Sequence, residues 1–214
     1  LGATTTHTSR AAAPLPEAPN CPLFPANNVW NRDVSALPTA TGSATLLQAI
    51  DPQNTSHLHP DFGSDPSYGI PYNVRGGIPD LAVECFVRMD GRGMRDRSQK
   101  LVSDFLDRHP RDRHILIVDK DACTLYEMWN TSGSGQSWHA GSGAIWNLRS
   151  NALRPDGWTS ADAAGLPILP GLARYDEMAA GVIDHALRFT LAATRKAHIY
   201  PARHDASSNT SPNL

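Results

Sequence analysis

The chain has 214 residues, 40% of them hydrophobic, which is enough to bury the core of one domain without a metal or a dense disulfide framework. Its 19 basic and 21 acidic residues give a net charge of −2, which excludes a global field that would attract nucleic acid. No run of about 18 apolar residues occurs, so no membrane-spanning helix is predicted. We expect a monomer that binds no nucleic acid.

Residues 1–20 are rich in Thr, Ala and Pro and show no apolar periodicity, which predicts a flexible N-terminal tail. A single β-rich domain over residues 21–214 is expected to follow. The 17 prolines and 16 glycines are typical of a loop-rich extracellular protein. Tail and composition together predict a secreted, extracellular chain.

The three cysteines, Cys21, Cys85 and Cys123, cannot all pair within the chain, and none has zinc-ligand or CxxC spacing. A bridge from Cys21 to Cys123 would join the end of the tail to an apparent core strand and remove much chain entropy. The sequence favours this disulfide with one free thiol. Three buried free thiols are the alternative.

Apolar spacing predicts a short helix over residues 44–50 and an amphipathic helix over 95–109. A strand is expected from Tyr72 onward. The clearest signal is a hairpin of residues 114–119 and 123–129. Further strands are predicted over residues 144–148, 185–191 and 197–201.

Between two of these strands lies a long irregular stretch, residues 149–171. Loops of more than about 15 residues without secondary structure are usually functional or packed on the scaffold. The elements together favour a mainly β fold, an antiparallel sandwich of the jelly-roll type with one or two short helices.

Several segments resemble a group of secreted bacterial proteins. They read FPANNVWN (24–31), HLHPDFG (57–63), WHAGSGA (138–144), GWTSADAAGLPILPGL (157–172) and YPARH (200–204). The resemblance extends over most of the chain and implies export and a shared fold, but it supplies no catalytic residue. Residues 75–111 depart from the group's pattern. Its members continue beyond the position of Leu214, which predicts a chain shortened at its C-terminus.

A metal site is one functional hypothesis. His57 and His59 would point to one face of a strand, and Asp61 continues the alternation. A further ligand would come from His114, His139 or His204. Such a pair in a polar loop is more often solvated, so the favoured prediction is no cofactor, with one divalent metal as the alternative.

Acid–base chemistry on a glycan is the leading hypothesis, since Asp176 and Glu177 follow the long loop. Neighbouring residues on a strand point to opposite faces, so one of the two would act with Glu127, Asp61 or Asp162. The alternative is a helix start at which both carboxylates satisfy free backbone N–H groups. A β-elimination by a histidine with a tyrosine or arginine is also supported, and the candidates for it are His139, His185, Tyr175, Arg174 and Arg203.

The sequence thus predicts a secreted glycan hydrolase or lyase. The predicted catalytic residues are Asp176, Glu177 and His139, and the predicted substrate-binding residues are Trp138, Trp158, Arg174 and Tyr175. Exposed tryptophans can stack on sugar rings, although most fill the core. A non-catalytic carbohydrate-binding or wall-associated module and a metal-dependent extracellular enzyme are the alternatives.

Overall fold

The computed structural model describes residues 11–53, 55, 69–76, 113–134, 137–191 and 194–210, with the side chains of 133–139 excepted. Its elements are helix α1 (Ser43–Ile50), strands β1 (Tyr72–Arg75), β2 (Ile115–Asp119), β3 (Thr124–Trp129), β4 (Ser132–Ser134), β5 (Ser137–His139) and β6 (Ser142–Asn147), a 3₁₀ turn (Leu169–Gly171) and helix α2 (Tyr175–Ala180). Within these ranges no helix has the length and apolar character needed to cross a bilayer. The helix predicted over 95–109 lies outside them.

A four-stranded sheet with the order β1-β2-β3-β6 organises the described part of the chain. The hairpin of β2 and β3 is confirmed, and β6 extends the sheet antiparallel to β3. Strand β1 runs parallel to β2, so the sheet is mixed and not purely antiparallel as predicted. β4 and β5 form a separate two-stranded sheet. The mainly β class is therefore confirmed.

The core lies on one face of this sheet. Leu116 and Val118 of β2 share that face with Leu125 of β3 and Trp146 of β6, and all four are buried. All five residues of β2 are buried, as expected for the continuous apolar run of a central strand. Irregular segments pack over this face, including Ile168 from the long loop.

The N-terminal segment is packed in the core, contrary to the prediction of a flexible tail. Residues 11–20 were expected to be part of a flexible tail, yet Ala12, Leu15 and Ala18 are buried in the core. Consecutive turns place one apolar residue inward every three positions, since the N–H of Ala18 bonds to the Leu15 carbonyl and the N–H of Cys21 to the Ala18 carbonyl. A period of three built from small residues is not the helical or strand period by which burial is usually recognised.

The C-terminal part differs from prediction as well. No strand forms within the described parts of 185–191 and 197–201. The backbone N–H of Ala186 bonds to the Trp30 carbonyl, and that of Arg188 bonds to the Gly171 carbonyl. Because these donors are satisfied by loops, the segment is extended without joining a sheet.

The predicted disulfide between Cys21 and Cys123 is present, with a Cα–Cα distance of 5.2 Å. It joins residues 102 positions apart and fixes the N-terminal segment beside the turn between β2 and β3. Closing a loop of this length lowers the entropy of the unfolded chain, which corresponds to about 4 to 5 kcal/mol of stability in the chain-entropy model.

Replacing both bridge cysteines by alanine should therefore lower the free energy of unfolding by several kcal/mol, measured by urea denaturation. Titration of the unfolded wild-type chain without reductant should detect one free thiol, and Cys85→Ala should remove it. Three titratable thiols in the wild type would contradict the bridge.

Candidate active site

The long loop is held on the sheet by the carboxylate of Glu127 in β3. Its Oε1 accepts the backbone N–H groups of Ile168 and Leu169, both at 2.9 Å, and its Oε2 accepts the indole N–H of Trp146 at 3.2 Å. The side chain is fully buried. Glu127 is thus a structural anchor of the loop and is not exposed as the catalytic partner that the sequence suggested.

Burial raises the pKa of Glu127 from 4.5 to about 7, although its three donors oppose the rise. Because the pKa of Glu127 is higher in the folded chain than in the unfolded chain, protonation of Glu127 increases the free energy of unfolding. This contribution to stability is complete below about pH 4.5 and is lost as the pH rises through 7.

Glu127→Gln should isolate this effect. Because glutamine does not ionise, the stability of the variant relative to wild type should increase between pH 4.5 and 8, by on the order of 3 kcal/mol. Denaturant melts of both proteins across this range measure the difference. A difference that is constant with pH, or that falls, would show that Glu127 stays ionised.

The predicted catalytic pair begins helix α2. Glu177 Oε2 accepts the backbone N–H of Arg174 at 3.0 Å, which is the helix-start role considered as the alternative. The Arg174 guanidinium lies 2.8 Å from Glu177 Oε1 and 3.2 Å from Asp176 Oδ1. It also donates to the carbonyl of Ala13 at 3.0 Å. Both carboxylates therefore contact an arginine that had been predicted to bind substrate.

Two further side chains join this cluster. His185 Nε2 lies 2.9 Å from Glu177 Oε1, at ion-pair distance but without hydrogen-bond geometry. Burial and the negative charges of Glu17 and Asp176 raise the pKa of Tyr72. The side chains of Arg174, Glu177 and His185 are at most 3% exposed, so a substrate would reach them only if they moved.

The other predicted substrate-binding residues are exposed or have side chains that the structure does not describe. Trp158 is 58% exposed, and the guanidinium of Arg154 lies 5.5 Å from its ring centre. Tyr175 is 85% exposed on α2. Trp138 and His139 belong to β5, but their side chains are outside the described part of the chain. The catalytic role of His139 stays a prediction.

The metal hypothesis concerns His57, His59 and Asp61, which lie outside the described residues. In the part that the structure describes, no group of three or more His, Cys, Asp or Glu side chains could hold a metal ion. The rings of His114 and His204 contact the backbone carbonyls of Ala161 and Ala163.

The long loop and the C-terminal segment enclose an open cleft of about 450 Å³. Its lining residues are mostly polar: Asp156, Gly157, Lys196, His198, His204, Asp205, Ala206, Ser207 and Ser208. This volume is in the range of small-ligand sites. The cleft therefore combines titratable side chains with access from solvent.

Backbone hydrogen bonds fix the two walls of the cleft to each other. The N–H of Gly157 bonds to the Arg203 carbonyl at 2.7 Å, and the Arg203 N–H bonds to the Ala164 carbonyl at 2.9 Å. The backbone of Gly165 is packed against Trp158 and against the C-terminal segment at Arg203. Its φ is +72°, and a Cβ there would be 2.5 Å from the Trp158 carbonyl oxygen. Only glycine fits this position.

One histidine of the cleft, His198, lies between two carboxylates. His198 Nδ1 lies 2.6 Å from Asp205 Oδ1, and Nε2 lies 3.4 Å from Asp156 Oδ1. Arg203 Nη2 is 3.3 Å from the same Asp156 oxygen. The hydrogen bond to Asp205 is the main cause that raises the pKa of His198 above 6.5, while desolvation opposes it. The short contact marks Nδ1 as the protonated donor and leaves Nε2 in the longer contact.

The sequence indicated Arg203 as a β-elimination candidate and His204 as a possible metal ligand, but it did not indicate His198, Asp156 or Asp205. Asp156 belongs to the irregular loop, whereas His198 and Asp205 belong to a segment expected to be partly strand, so no spacing links the three. No family model, curated protein or solved structure matches the chain. The functional assignment therefore depends on the chemistry of the cleft.

Asp205→Asn should lower the pKa of His198 toward its ordinary value, because the carboxylate that stabilises the imidazolium is lost. An NMR titration of the His198 ring protons measures this change. Asp121→Asn removes a carboxylate at the turn between β2 and β3 and is the matched control. Identical titration curves for wild type and Asp205→Asn would contradict the assigned contact.

Proposed function

We propose that the protein is an extracellular enzyme that performs acid–base chemistry on a glycan in this cleft, with His198 as the group that accepts and donates the proton. The observation that carries the proposal is the 2.6 Å contact between His198 and Asp205 in a cleft of ligand size. A carboxylate on Nδ1 orients an imidazole and stabilises its charged form, which suits Nε2 to proton transfer.

The arrangement favours histidine chemistry over a pair of catalytic carboxylates. Glycosidases place two carboxyl groups on either side of the bond that is cleaved. Here His198 lies between Asp156 and Asp205 and contacts both. The 3.4 Å contact to Asp156 is long for a charge-assisted hydrogen bond, so a substrate group could replace it at Nε2.

Two exposed aromatic residues that are close in sequence to lining residues support a sugar as substrate. Trp158 directly follows the lining residue Gly157, and Tyr200 lies two residues after His198. The two aromatic residues are 58% and 69% exposed. Exposed aromatic rings offer an apolar face on which a sugar ring can stack.

Export and architecture complete the proposal. The disulfide between Cys21 and Cys123 is typical of chains that fold in an oxidising compartment. Burial of every residue of β2 supports a layer on each face of the sheet, as in the predicted sandwich.

His198→Gln should lower kcat at least a hundredfold on any polysaccharide that the wild type cleaves, because proton transfer contributes 10²- to 10⁴-fold in general. Release of new chain ends from a panel of neutral and acidic polysaccharides measures this. For a general base, kcat/KM rises with pH through the pKa of His198, so Asp205→Asn should shift the rising limb to lower pH.

Asp121→Asn is the control for the loss of one carboxylate and should leave the rate unchanged. Thermal melts establish that each variant is folded. Full activity in folded His198→Gln would contradict the proposed role. Binding without cleavage of any polysaccharide by the wild type would favour the carbohydrate-binding module.

A further inference from the structure

We propose that the glycan bound in this cleft is acidic and that Lys196 binds its carboxylate or sulfate groups. This inference rests on the proposed function, since it names the substrate class of the same site. It assigns a binding role to a residue that no motif in the sequence indicates. The charges in the cleft that are already paired point to this role of Lys196.

Both carboxylates that line the cleft are engaged by the chain itself. Asp205 contacts His198, and Asp156 contacts both His198 and Arg203. The negative charge of Asp205 is therefore offset by His198, and that of the 70% exposed Asp156 is offset by Arg203. Arg203 is held in addition by its donation to the Arg154 carbonyl at 3.0 Å.

Lys196 differs from these residues because its charge has no partner within the described part of the chain. It lines the cleft and is exposed, and among the described residues no carboxylate lies within ion-pair distance of its ammonium group. By contrast, Lys120 contacts Asp121 at 3.0 Å at the turn between β2 and β3. A free ammonium group in a cleft is a site for an anionic group of a ligand.

The charges of the side chains in the cleft are compatible with an anionic ligand. Lys196, together with Arg203 that contacts Asp156, balances the two carboxylates when His198 is neutral, so the cleft has no net negative charge that would repel an anion. Protonation of His198 adds one positive charge. The hydroxyl groups of Ser207 and Ser208 line the same space and can hydrogen-bond to sugar hydroxyls. Neutral hydrogen-bonding groups around one cation suit a sugar that carries an acidic substituent.

Calorimetric titration of the full chain tests the inference independently of turnover. The probes are an oligogalacturonate, a sulfated glucan oligomer and a neutral glucan oligomer of equal length. At moderate salt, the wild type should bind at least one acidic oligomer about tenfold or more tightly than the neutral one. The two acidic probes distinguish carboxylate from sulfate.

Lys196→Met should abolish the preference for the acidic oligomer, whereas Lys120→Met, which removes the same charge elsewhere, should retain it. His198→Gln should retain the preference while losing turnover. Equal binding of neutral and acidic oligomers by the wild type would overturn the inference, as would an unchanged preference in Lys196→Met. Selective, Lys196-dependent binding without turnover would instead overturn only the proposed catalytic function.

Discussion

A carboxyl group inside an apolar core must be either neutral or fully hydrogen-bonded. Glu127 meets this constraint through hydrogen bonds that join the sheet to the long loop. Its oxygens accept the N–H groups of Ile168 and Leu169 at the end of the long loop. The same loop supplies the Ala164 carbonyl that receives the Arg203 N–H. The wall of the cleft is thus linked through the loop to the centre of the sheet.

The two charged clusters of the C-terminal half differ in burial. Around Arg174 and Glu177, ionised groups are enclosed and paired, which fastens α2 to the N-terminal segment through the carbonyl of Ala13. Around His198, the groups remain accessible while Asp205 orients the ring. Chemistry requires both orientation and access, and only the second cluster combines them.

The sequence predicted features that depend on local pattern or simple chain topology. A continuous apolar run with a polar turn identified the hairpin, and loop closure identified the bridge from Cys21 to Cys123. The burial of Leu15 escaped recognition because a three-residue turn repeat has no standard hydrophobic period. Phe189 lies in a segment with strand-like alternation, but the N–H of the preceding Arg188 bonds to the Gly171 carbonyl of the 3₁₀ turn and not to a strand. The contact of His198 with Asp156 arises from loop packing, for which no sequence spacing exists.

A crystal structure of the full chain with an acidic oligosaccharide would show whether the cleft is the site of function. We expect a sugar ring within reach of His198 Nε2 and an acidic substituent in contact with Lys196. An oligosaccharide bound instead beside Asp176 and Tyr175 on α2, with the cleft empty, would contradict the account and restore the site that the sequence first indicated.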